Sequence, residues 1–193
     1  MLNARSELTA SSTTSDDVLG ERIRFAQRHL ATRGMNHVSP PPHLEAALAF
    51  LAEQTLPSWC DPTRLVLCLH LDVPSPSNNV IKAMHFHEYK KLRSNIASGV
   101  AAALGAHKPR ALPLSALFIV RRSAGSLDWD NAIGGLKPLL DCLVQASVRN
   151  PSGLGIIEDD RPRCMPYPPM MKQLPAKKGE GSTQIFVFEV DAE

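Results

Sequence analysis

No stretch of the 193-residue chain approaches the roughly 18 apolar residues of a membrane-spanning helix. The Ser/Thr-rich start, residues 1–17, has neither a basic n-region nor an apolar h-region, so no signal peptide is expected and a cytoplasmic protein is. Cysteine is scarce: Cys60, Cys68, Cys142 and Cys164 are widely spaced and form no C-x-x-C pair. This argues against a zinc site or a disulfide framework and for buried free thiols. There is no Gly-rich phosphate loop of Walker or dinucleotide type and no internal repeat. No Ser/His/Asp or Cys/His arrangement for nucleophilic catalysis is visible either. His85 and His87 stand together without a serine motif, and their i,i+2 spacing does not align two metal ligands on a helix. What remains, 44% apolar and 21% charged residues, is the composition of a globular domain able to bury a core.

The net charge of +2 conceals an uneven distribution. Residues 61–193 carry 16 Lys and Arg against 13 Asp and Glu, and six of those acids (Asp128, Asp130, Asp141, Glu158, Asp159, Asp160) lie in two short clusters. If cations neutralise those clusters, the rest of the surface is basic, which points to a polyanionic partner.

Residues 1–60 read as an extension: a Ser/Thr-rich tip, a helix over 15–33 ending at Gly34, a Ser39-Pro40-Pro41-Pro42 break, and a second helix over 43–54. Neither helix has a dense basic face, so a hairpin that packs is expected rather than one that binds DNA. The main domain, 61–193, begins with an apolar strand over 64–73, followed by the turn Pro74-Ser75-Pro76-Ser77-Asn78-Asn79 and a helix over 85–104. A second strand over 114–121 leads to Asp128-Trp129-Asp130-Asn131, and a helix over 136–148 follows. The last strand is expected over 183–190; the proline-rich, basic stretch 162–178 admits only a short or edge strand.

Asp128 and Asp130 are one residue apart and, on an extended segment, project to the same side. Hard cations such as Mg²⁺ take oxygen ligands and keep several waters, which leaves room for a substrate phosphate. Asp-x-Asp-Asn serves equally well as a polar turn capping a helix. The later triplet Glu158-Asp159-Asp160, between Ile156-Ile157 and Arg161-Pro162-Arg163, favours a site.

The order Pro-Ser-Pro-Ser-Asn-Asn (74–79), basic helix, strand, Asp-Trp-Asp-Asn (128–131), Lys-Pro-Leu-Leu-Asp (137–141), Ile-Ile-Glu-Asp-Asp (156–160), basic segment and final strand resembles RusA-type Holliday junction resolvases, over residues 64–191. These small, often phage-derived endonucleases cut four-way DNA junctions. The resemblance implies an α+β fold, a small mixed β-sheet packed with helices, here with an N-terminal helical extension. It also implies a homodimer acting on branched DNA in recombination and repair, with Mg²⁺ as cofactor and Mn²⁺ as a substitute. Asp128, Asp130 and Asp160 would be the metal-binding catalytic carboxylates, with Asp159 replacing Asp160 if the loop shifts by one residue. Lys137 would be the catalytic lysine; about three residues more than usual, around 133–135, precede it, and the Lys-x-x-x-Asp step to Asp141 supports the alignment. Lys90, Lys91, Arg93, Arg121, Arg122, Lys172, Lys177 and Lys178 are the expected contacts to the DNA backbone. The alternative is a DNA-binding or regulatory protein of the same fold that cleaves weakly or not at all.

Overall fold

The computed structural model describes residues 44–107 and 109–191. The expected helix over 15–33 lies outside them. The elements are α1 (Leu44–Ala52), a 3₁₀ turn (Pro62–Arg64), β1 (Leu65–Leu71), α2 (Asn78–Ala83), α3 (Phe86–Leu104), β2 (Ser115–Ser123), α4 (Trp129–Gly134), α5 (Lys137–Leu143), β3 (Met170–Pro175) and β4 (Ser182–Glu189). The result is a mixed α+β fold around a four-stranded sheet of order β1-β4-β2-β3, antiparallel except for the parallel pair β2 and β3.

Strand β2 is apolar along most of its length because both faces of the sheet are covered. Leu117 and Ile119 join Leu67, Leu69, Ile185 and Val187 against α3 and α5, where Ile96, Val100, Leu136, Leu139 and Leu143 complete one core. Ala116, Phe118 and Val120 point the other way and meet Phe186, Phe188 and the α1 residues Leu44, Ala47, Leu48 and Leu51. Full burial of one such side chain is worth about 1.5–3 kcal/mol. A register irregularity between Leu65 and Leu67 lets these two residues, equal in parity, enter opposite cores. The four cysteines are buried and free, and burial pushes the thiols of Cys60 and Cys68 up to about 12.

Helix α1 is the part of the expected extension that is described, and it belongs to the core of the sheet. A division after residue 60 therefore cuts through packed side chains. The helix expected over 136–148 ends at Leu143. Its last carbonyls are taken by the returning chain, with Leu154 N donating to Cys142 O (2.9 Å) and Ile156 N to Leu143 O (2.8 Å). Val148, expected within that helix, is fully exposed. The basic stretch after Pro162 does contain an edge strand, β3. Among the described residues no helix is long and apolar enough to cross a membrane.

Candidate functional site

The parallel pairing of β2 and β3 forces a crossover, and the crossover carries every acid of interest. After β2 the chain turns through residues 124–127, fixed by Leu127 N donating to Gln173 Oε1 (2.8 Å), and enters α4. Asp128 is the N-cap of α4: its backbone is extended (φ −65°, ψ 163°) and its Oδ1 accepts from Asn131 N at 3.2 Å. Asp130 sits in the first helical turn. The expectation that both carboxylates project from one extended segment is thus corrected. Only Asp128 is extended; the chain turns helical at Trp129, and the Asp128 side chain takes the Asn131 N–H that the first helical turn leaves without an intrahelical partner. Both carboxylates are solvent-exposed, and Trp129 between them is 65% exposed.

Helix α4 is seated on the segment that follows β1. Asn79 N donates to Asn131 Oδ1 (3.1 Å), and Gly135 approaches Pro76 so closely that a Cβ there would stand 1.9 Å from the Pro76 carbonyl oxygen. Gly134 and Gly135 thus let two segments dock. Gly135 and Leu136 both keep right-handed helical dihedrals, so α4 runs almost directly into α5.

Lys137 opens α5. Its Nζ lies 2.8 Å from Asp141 Oδ1, one helical turn on, and 2.8 Å from Asp160 Oδ2. Asp160 comes from a loop anchored by Ile156 and Ile157, both fully buried, and by Glu158 N donating to Leu112 O (2.9 Å). Asp141 is also approached from α3, by Arg93 Nε at 3.6 Å and Tyr89 OH at 3.5 Å. Asn150 Nδ2 donates to the Asp141 carbonyl (2.5 Å), and its Oδ1 accepts from Arg93. Burial disfavours the charge on Asp160, but the hydrogen bond and charge of Lys137 outweigh it and hold the carboxyl below its usual range. Burial likewise works against the Lys137 ammonium, and Asp141 and Asp160 together hold it above the usual lysine range. Asp159 faces elsewhere, toward Arg161 (3.3 Å) and Arg163 (3.6 Å), while its Oδ1 accepts from Asp160 N.

The structure thus brings together Lys137, Asp141 and Asp160, which the sequence had only in order, adds Tyr89 and Asn150, which it had not singled out as site residues, and adds Arg93, which it had expected on the DNA-facing surface. The i,i+4 spacing of Tyr89 and Arg93 on α3 was the available signal. Exposed carboxylate oxygens at Asp128 and Asp130 suit Mg²⁺ in donor chemistry. Their assembly with Asp160 is another matter. Among the described residues no three His, Cys, Asp or Glu side chains are grouped so as to hold a metal ion, and Asp160 is engaged by Lys137.

The expected DNA contacts divide. Lys90, Lys91, Lys172, Lys177 and Lys178 are exposed. Arg121 is corrected: it is 7% exposed, its Nε donates to Ser75 O and its NH1 to Gly125 O, both at 3.0 Å, so its guanidinium pins the turn after β1 to the loop before α4. Arg122 lies over the Phe50 ring, 5.5 Å from its centroid, and donates to Gln184. Arg93 is turned inward to Asp141. No protein-family model matches the chain, and no curated protein matches it at a significant level.

Proposed function

We propose that the chain is a Mg²⁺-dependent, structure-selective endodeoxyribonuclease that resolves four-way DNA junctions as a homodimer. The observation that carries this reading is the contact between Lys137 and Asp160. Two pieces of the resolvase-like pattern, 23 residues apart, meet at 2.8 Å beside the acid-capped helix that precedes them.

A divalent cation held by Asp128, Asp130 and Asp160 would supply an activated water and a clamp on the phosphate. The chain's own groups do the rest. Lys137, 55% exposed and held in its charged state, offers a positive charge to a phosphoryl oxygen. Asp141, fixed by Arg93, keeps that lysine at the start of α5. The exposed lysines Lys90, Lys91, Lys177 and Lys178, with Arg161 and Arg163, suit contact with a DNA backbone. Productive resolution needs two opposed strands cut, and a two-fold dimer supplies two sites from one chain.

Incubation with a synthetic four-way junction, with and without Mg²⁺, tests the reading. Paired, Mg²⁺-dependent nicks are expected, and intact junctions at saturating protein would overturn it. One observation favours the alternative of a binding protein without cleavage, namely that Asp160 is tied to Lys137 rather than grouped with the other acids. Junction binding without nicking would establish that alternative. A protein acting mainly through its N-terminal extension would lose function when residues 1–43 are deleted, whereas the nuclease would keep cutting; the deletion stops at 43 because α1 is part of the core.

A further inference from the structure

We propose that the groove between α3 and the outer strand β1 is the seat of residues 19–30 of this same chain, docked there as an amphipathic helix. Strand β1 ends the sheet on its side: β4 pairs with one edge, and among the described residues no strand pairs with the other. Between its end and α3 lies a cavity of about 630 Å³, walled by Leu71, by Leu92, Ile96, Gly99 and Ala103 of α3, and by Leu139. The four α3 residues recur at i, i+4, i+7 and i+11 and so share one helix face. At Gly99 the helix comes so near the strand that a Cβ would stand 3.4 Å from Leu71. A free strand edge beside an open apolar groove invites pairing with other chains, and a covering helix removes that hazard.

The occupant is identified by pattern, reach and charge. Leu19, Ile23, Ala26 and Leu30 repeat the i, i+4, i+7, i+11 spacing. On a helix they make an apolar row about 17 Å long, the same length as the α3 row from Leu92 to Ala103. The described chain starts at Leu44 in α1, which touches β1 and packs on the opposite face of the sheet from α3. The groove is therefore reached by passing round one outer strand, a path of about 20 Å through two packed layers. Residues 31–43 extend to about 40 Å, which is ample. Asp72 is the acid that lines the groove, its side chain 99% exposed, and residues 18–33 carry four arginines against one glutamate.

Hydrogen exchange of the full-length protein, read by mass spectrometry, tests the docking, because a helix this short with Gly20 inside it is marginal alone and keeps its amides protected only when packed. In the wild type, amides of 19–30 should exchange at least about tenfold more slowly than those of an unstructured chain. Ala102→Arg, at an exposed position on the groove wall, should block the seat and raise exchange over 19–30 about tenfold. Ile23→Asp should do the same and also speed exchange over 92–103, and the two changes together should add nothing further. Unprotected amides over 19–30 in the wild type would overturn the proposal. So would protection that Ala102→Arg leaves unchanged, since the segment would then be packed elsewhere, as beside α1. Protection over 92–103 that rises with protein concentration and ignores Ile23→Asp would assign the groove to a second copy and overturn it too. Should Ala102→Arg unfold the protein, Ile23→Asp decides alone, and unchanged exchange over 92–103 in that variant refutes the docking.

Discussion

The two groups of acids in this protein are built in opposite ways. Asp128 and Asp130 flank the start of a six-residue helix, exposed, and among the described residues no cation pairs with either. Asp141 and Asp160 are partly buried, come from different segments, and are joined through one lysine. The first group is local and its chemistry is open to solvent. The second is long-range and its charge is already balanced. On the function proposed above, the difference would separate two tasks that a spacing pattern merges: offering oxygens to an incoming ion, and keeping a compensating positive charge at hand.

The largest expected effect comes from neutralising each group in turn. Asp128→Asn, Asp130→Asn and Asp160→Asn should each lower Mg²⁺-dependent junction cleavage by about two orders of magnitude or more while leaving junction binding intact or tighter. Asn caps a helix as well as Asp, so Asp128→Asn should lose activity without losing thermal stability. Asp160→Asn also leaves Lys137 with one partner fewer, so its melting temperature should fall slightly. Near-normal cutting by all three variants would remove the catalytic side of the comparison.

The supports beneath the two groups can be broken separately. Ile157, fully buried, carries the loop that presents Asp160, and Ile157→Ala should cost about 2–5 kcal/mol in denaturant unfolding. Gly135 carries α4 against Pro76, and Gly135→Ala must move one backbone or the other, at about 1–3 kcal/mol. Gly125→Ala, where a Cβ meets nothing within 4 Å, serves as the control. If Gly135→Ala matched Gly125→Ala in stability, the docking of α4 on the Pro76 segment would not be what holds the first group in place.

A smaller effect separates surface cations from structural ones. Lys177→Ala and Lys178→Ala should each reduce the salt dependence of junction binding by about 0.9 in the log–log slope, leaving stability unchanged. Arg121→Ala should do the reverse, because its guanidinium bridges Ser75 and Gly125 inside the protein. A change in salt slope with unchanged stability for Arg121→Ala would return that residue to the DNA-facing set.

These contrasts show what a sequence reading reaches. Strands β1, β2 and β4 were legible because apolar runs of strand length leave few alternatives, and α3 because its apolar residues recur at helical steps. The short helix α2 was hidden in a stretch of Pro, Ser and Asn that reads as a turn; Ser77, which caps it at Val80 N (3.2 Å), is the only local signal. The helix after Asn131 was read too long because Val144, Ala146 and Val148 carry apolar residues on past Leu143, whereas its end is set by hydrogen bonds from residues 154–157 that no local pattern records. Arg121 and Arg122 look alike in sequence. Strand alternation sends them to opposite faces, one to the turn after β1 and one to Phe50. At the site, order in the sequence set Lys137, Asp141 and the triplet 158–160 in succession, but the choice of Asp160 over Asp159 as the partner of Lys137 depends on a one-residue phase of the loop, which the fold decides.

The smallest expected effect is the pH dependence of the paired group, and its sign follows from the two partners. Asp160 has its carboxyl held below its ordinary value, so the stability it contributes is present above the unfolded carboxylate pKa and is lost as pH falls through the lowered folded value. Lys137 is raised, so its contribution is complete below the unfolded lysine pKa and is lost as pH rises through the raised folded value. Between those limits the pair should be flat. Thermal melts of the wild type and Lys137→Met, compared from acidic to alkaline pH, should therefore differ by a constant small amount through neutrality. The gap should close at the acid end, where Asp160 takes up a proton, and again at the alkaline end, where Lys137 gives one up. With Lys137 more than half exposed, solvent screening keeps the gap within about 1 kcal/mol. A gap that instead reversed sign at neutral pH, with Lys137→Met melting higher than the wild type, would mean that Lys137 opposes folding, and the second group of acids could no longer be described as charge-balanced in the way the first is not.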